Sequence, residues 1–267
     1  MSRSPPALEE IYTLVGLPTL RHLVFDGRRW TAGQIFAILS HCTPTVDRIE
    51  FRGCHPQPGA SITSASPHHR PAIRHLALRD SSVTQMLADS LDLSSLAYLQ
   101  SISPIFSAPL LQALLPAACS TIQTLEFRHA STSGDPVDLA LFPALCHIKL
   151  GNLWVPLADG APHPHIQMLA RLPAQNAIHT VSLWLLLDAY GNATTQWETV
   201  DALARDLRAL HDALVPDRMP RLRCVEVDVD SAAAMRTLGL EKADWQRVVV
   251  TSMPTFHQRG ILSINPP

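Results

Sequence analysis

Lysine is nearly missing from this chain: Lys149 and Lys242 are the only two among 21 basic residues. Set against 23 acidic residues, the basic set leaves a formal net charge of −2, so no global field draws the chain to nucleic acid or to an anionic membrane. Aromatic residues make up 6%, and the basic–aromatic interleaving of a nucleic-acid platform does not occur. No apolar run approaches the roughly 18 residues of a membrane span. The opening Met1-Ser2-Arg3-Ser4-Pro5-Pro6 lacks the apolar centre of a secretory signal. The expected location is cytosol or nucleus. The five cysteines (Cys42, Cys54, Cys119, Cys146 and Cys224) are odd in number, widely spaced and free of any C-x-x-C, which points to reduced, mostly buried thiols. Glycine is scarce, at 11 residues, and the phosphate-cradling Gly-x-x-x-x-Gly-Lys is absent. So are Gly-x-Ser-x-Gly and His-Glu-x-x-His, so the expectation is a chain without catalysis, cofactor or metal.

What is present is a repeated frame. L-x-x-L-x-L, with Leu, Ile, Val or Phe in the slots, starts at Leu20, Val46, Ile73, Leu96, Ile122, Leu145, Ile178 and Leu222. Successive starts lie 26, 27, 23, 26, 23, 33 and 44 residues apart, and the first five spacings fit the 20–29 residues of a leucine-rich repeat. Inside each frame the alternation has period two, the mark of a strand with one buried face. Pro18, Pro44, Pro71, Pro143 and Pro220 each stand two residues upstream of a frame, where they end the preceding element. The fourth copy is weaker, because Ser101 takes the last apolar slot and Ile102 is the candidate to replace it.

Between frames the period becomes helical. Residues 31–41, 83–91, 109–118 and 195–214 carry apolar residues on one face, and Thr195-x-x-Glu198 reads as a capping box. Residues 55–71, 130–138 and 156–164 read as loops. The fold expected is α/β: an irregular leucine-rich-repeat solenoid, horseshoe-like, with parallel strands inside and helices outside. Residues 1–17 would form an N-terminal cap, 18–229 about eight repeats and 230–267 a C-terminal cap. In that last segment Trp245, Val248-Val249-Val250 and Ile261–Ile264 suggest one or two closing strands.

These frames, with their uneven lengths and upstream prolines, resemble the degenerate leucine-rich-repeat half of fungal F-box proteins. The resemblance covers about residues 18–229. It implies a protein-recognition module, the substrate-receptor part of a ubiquitin ligase, with the Skp adaptor as a partner only if an F-box exists elsewhere. The scarcity of lysine reads first as a GC-rich coding bias that favours Arg, Ala and Pro. A setting beside a ubiquitin ligase, where few acceptor amines are an advantage, is the lesser reading. Two features depart from the family: the 17 residues before the repeat region at Pro18 leave no room for an F-box, and the Asn or Cys expected eight residues after each frame start is met only by Cys54. A stand-alone repeat adaptor, or an enzyme with a pocket near 156–164 or 186–196, are the other readings.

If the frames are strands, alternate residues line the open sheet face. Arg52 and Arg79 become neighbours there, with Arg128 two strands further on, and Lys149, Tyr98 and Trp184 share the face. Arginine binds carboxylate or phosphate through a planar fork, and exposed Trp, Tyr and Arg are the types enriched at binding hot spots. The expected partner is therefore a protein with an acidic or phosphorylated segment, and Arg52, Arg79, Tyr98, Arg128, Lys149 and Trp184 are the candidate contacts. The competing reading is that Arg48–Glu50–Arg52 and Glu126–Arg128 pair with one another on a solvated sheet. His68-His69 and His163-Pro164-His165 read as ordinary loop histidines, since no further ligands converge on them.

Overall fold

The structure, a computed structural model, describes residues 8–27, 30–54, 70–79, 87, 90–101, 117–127, 137–151, 164–185, 196–215, 218–229 and 241–265. The chain divides into two compact units, Met1–Ile122 and Gln123–Pro267.

In the first unit, helix α1 (Leu8–Val15) precedes strand β1 (His22–Asp26). Helix α2 (Ala32–Ser40) and strands β2 (Arg48–Arg52), β3 (His75–Arg79) and β4 (Tyr98–Ser101) follow. Each strand occupies the slots its frame assigns. All neighbours run parallel, in chain order, and the pairing aligns the frames slot for slot: His22 with Arg48, Arg48 with His75, His75 with Tyr98. One face is apolar. Ile49, Phe51, Leu76, Leu78 and Leu99 are buried, and Phe25 stacks on Phe51 with ring centroids 4.9 Å apart. Ser101 itself holds the last slot of the fourth frame, buried and paired with Leu78. Its substitute, Ile102, lies outside the described residues.

Helix α2 buries Ile35, Ile38 and Leu39. It starts at Thr31 because Thr31 Oγ1 accepts the Gln34 N–H at 3.2 Å while Gln34 Oε1 accepts the Thr31 N–H at 3.0 Å, a reciprocal cap. The expected helices at 83–91 and 109–118 fall mostly outside the described residues, as do loop residues 55–69 and 130–136.

The second unit holds β5 (Thr124–Phe127), β6 (His147–Gly151), β7 (Thr180–Leu185), β8 (Cys224–Val229) and β9 (Leu262–Asn265), again parallel and in chain order. Its helices are α3 (Pro164–Ala170), α4 (Gln196–Ala213), α5 (Lys242–Ser252) and α6 (Pro254–Gln258). Helix α4 buries Leu203, Leu207 and Leu210 at helical spacing; Thr195, the first residue of its expected capping box, lies outside the described residues. Val248-Val249-Val250 is helical, correcting the strand expectation. Trp245, Val249 and Ser252 are its buried positions, spaced by four and three, so the helical face decides over the β preference of valine. Among the described residues of this segment only Leu262–Asn265 forms a strand, pairing with β8. His165 is a second correction: it sits inside α3, buried, with Nε2 3.2 Å from the Gly151 carbonyl oxygen.

One set of hydrogen bonds recurs from frame to frame. The first frame residue bonds back three residues at Val46→Thr43, Leu96→Leu93, Leu145→Phe142 and Leu222→Met219. The third bonds to the preceding frame at Arg48→Arg21, His75→Asp47, Tyr98→Arg74, Thr180→Cys146 and Cys224→His179. Equivalent residues therefore meet equivalent backbone partners.

The chain leaves β2 through Gly53, whose φ of 57° is left-handed and whose N–H bonds to the Arg79 carbonyl. A Cβ there would touch nothing within 4 Å, so Gly53→Ala tests backbone strain alone. The expected loss is about 1–2 kcal/mol in a urea titration, with Asn milder than Ala.

Candidate functional site

On the polar side of the first unit, the register places Asp26 beside Arg52 and Arg52 beside Arg79. Glu50, one row away, is 1% exposed. Its Oε2 accepts a hydrogen bond from Arg52 Nη2 at 3.0 Å, and its Oε1 forms an ion pair with Arg79 Nε. His22 Nε2 approaches the same carboxylate at 3.8 Å. Burial pushes the Glu50 carboxyl upward, but the Arg52 hydrogen bond and the charges of Arg79 and Arg52 outweigh it and hold it below the usual carboxylate range. Burial and the Arg48 charge lower both His22 and His75, so these imidazoles are less readily charged than usual. Arg52 and Arg79 remain 44% and 34% exposed, so their pairing with Glu50 leaves part of each side chain open to solvent. Tyr98 is half-buried, its ring 5.5 Å from that of His75.

The second unit carries a different arrangement. The register aligns Glu126, Lys149, Ser182 and Glu226 in one row, and Gly151, Trp184 and Asp228 in the next. Ser182 Oγ donates to Glu226 Oε2 at 2.5 Å and lies 2.9 Å from His147 Nε2. The serine proton is committed to the carboxylate, so the imidazole is the donor in the second contact. In a nucleophilic relay the hydroxyl proton faces the imidazole instead. This wiring ties together side chains from three neighbouring strands, β6, β7 and β8. Burial first, and then the Lys149 charge, lower the His147 pKa. Cys224, 4.0 Å from Glu226 Oε1, is raised by burial and by that carboxylate, which disfavours a reactive thiolate.

The candidate contacts thus fall into two charge settings. Arg52, Arg79 and Tyr98 belong to a basic surface built around one buried glutamate. Lys149 and Trp184 share a surface with Glu126, Glu226 and Asp228. Arg128 lies outside the described residues, as do residues 156–163 and 186–195, where the enzyme reading would put its pocket. Glu50, Ser182, Glu226 and Asp228 were not singled out from sequence as functional. Their signal was position: each falls in a polar slot of a frame. What the slot does not tell is that Glu50 is buried.

Cys54, the single residue meeting the family's expected Asn or Cys position, is buried with Sγ 3.4 Å from the Phe25 carbonyl oxygen, where it serves the backbone. Among the described residues no three His, Cys, Asp or Glu side chains converge as a metal site, and no helix is long and apolar enough to cross a membrane. Comparison with known proteins yields no match: no family model fits the chain, and neither a curated protein nor a solved structure is similar to it.

Proposed function

We propose that this chain is a protein-recognition module without chemistry of its own, an irregular leucine-rich-repeat solenoid that grips a partner through the polar face of its strands. The recurring hydrogen bonds and slot-for-slot register support the solenoid reading. The observation that carries the recognition reading is the Arg52–Arg79 pair, adjacent in register and aimed by a buried carboxylate. Holding both guanidinium groups in place lowers the entropy cost of engaging an acidic or phosphorylated segment. Tyr98 adds a half-buried aromatic surface. The F-box resemblance supports a role as the substrate receptor of a ubiquitin ligase, in cytosol or nucleus, with the repeat region as the substrate-binding half.

The test is fluorescence anisotropy with peptides that differ only in carrying phosphoserine, aspartate or serine at one position. The charged peptides should bind at least tenfold more tightly than the neutral one. Arg52→Ala/Arg79→Ala should abolish that preference while leaving the circular dichroism spectrum unchanged. Binding should weaken steeply with added salt, because the contacts are exposed charges. A double variant that keeps the preference would sink the assignment of these two arginines.

A further inference from the structure

The polar face of the second unit encloses a hollow of about 210 Å³. Sites for whole small-molecule ligands run to roughly 300–1,000 Å³. The hollow is therefore of a size for one side-chain head group. Gly151 is one of its lining residues and contributes no side chain where the register sets it beside Trp184. The half-buried indole of Trp184 forms one wall, and Asp228 is its neighbour on the other side.

Glu226 and Asp228 are two residues apart on β8 and so share a face, about 7 Å apart along the strand. Both take hydrogen bonds from neutral donors: Ser182 to Glu226, and Asn265 Nδ2 to Asp228 Oδ1 at 2.7 Å. Those bonds position the carboxylates without cancelling their charge. Lys149 lies next to Glu126 in register and offsets one carboxylate of the three lining the hollow. Among the described residues, an aromatic wall, a glycine in the lining and a residual negative charge coincide in one concavity.

We infer that this hollow receives the guanidinium group of an arginine in a basic segment of a protein partner. A planar guanidinium stacks on an indole face and donates in two directions at once, which suits carboxylates at Glu226 and Asp228. Lysine offers a compact, strongly hydrated charge that gains less from stacking. The inference rests on the recognition reading and deepens it, adding a site of opposite sign to the Arg52–Arg79 surface.

The probes are two labelled heptapeptides, Gly-Ser-Gly-X-Gly-Ser-Gly, with arginine or its neutral isostere citrulline at X, titrated into the full chain. Binding is read by nuclear magnetic resonance from the indole N–H signals, with Trp184→Phe assigning the relevant one. The arginine peptide should bind at least tenfold more tightly than the citrulline peptide and shift the Trp184 signal. Gly151→Val, which adds a branched side chain to the lining and leaves the charge unchanged, should erase the difference. Asp228→Asn should weaken arginine binding several-fold, and it tests the site even where the valine variant fails to fold. Equal binding of the two peptides, or a preference that survives in both folded variants, would overturn the inference. So would equal affinity for N-acetylarginine amide, since that would make the site one for small guanidinium compounds. If the acidic peptides still bind through Arg52 and Arg79 while arginine does not bind here, only this inference fails. Loss of both overturns the recognition reading as well.

Discussion

Replacing Trp245 by alanine should lower the unfolding free energy of the second unit by about 3–5 kcal/mol, the range for deleting a large aromatic side chain from a core. Trp245 is 0% exposed and stands on the buried face of α5 with Val249. Its indole N–H finds no acceptor among the described residues. That orphan donor changes the expectation for a smaller substitution. Trp245→Phe leaves a modest cavity but removes a buried N–H whose desolvation costs about 1–3 kcal/mol. The two terms oppose each other, so the phenylalanine variant should lie within about 2 kcal/mol of the parent. Urea titrations followed by circular dichroism give both numbers. A phenylalanine variant as damaged as the alanine one would mean that the N–H has an acceptor and contributes to stability.

Glu50→Ala should be the most damaging change on the polar face. It removes the one carboxylate shared by Arg52 and Arg79 and leaves two cations adjacent in register. Breaking a fully buried pair costs about 3–5 kcal/mol. Because both arginines are a third or more exposed, solvent screening reduces the expected loss to roughly 1–3 kcal/mol. Its pH dependence has a definite sign. The folded state holds the Glu50 carboxyl below its ordinary range, so its contribution is full above the unfolded carboxylate pKa. It fades as pH falls through the lowered folded value. The stability gap between the parent and Glu50→Gln should therefore be widest near neutrality and narrow below about pH 4, where unfolded carboxylates also protonate. A gap that stays constant from pH 7 to pH 3 would show that the charge of Glu50 contributes nothing. The same variant should weaken the acidic-peptide preference, since it releases the arginines from their fixed positions.

These two sites show unequal legibility in the sequence. The period-two alternation of Leu, Ile, Val and Phe was enough to locate β1 through β8, and aligning frame starts reproduced the register residue by residue, as at His22–Arg48–His75–Tyr98. A strand's side-chain period is independent of its surroundings, so local pattern carries that information. Thr31 and Gln34 announced α2 by the same kind of local chemistry. Val248-Val249-Val250 did not announce α5, because three β-branched residues favour a strand locally. The burial of Trp245, Val249 and Ser252 on one helical face overrides that preference, and burial is a tertiary quantity.

Charge at the candidate site behaved in the same way. The sequence by itself determined which residues share the polar face: Arg52 beside Arg79, and Trp184 between Gly151 and Asp228. Only the tertiary structure decided what those residues are to one another. It buried Glu50, placing one carboxylate under two guanidinium groups. It turned the Ser182 hydroxyl toward Glu226, and it left a hollow lined by Gly151 and Trp184. The reason is physical. Alternation along a strand follows from backbone geometry, whereas burial, ion pairing and empty volume depend on the neighbours that folding brings alongside.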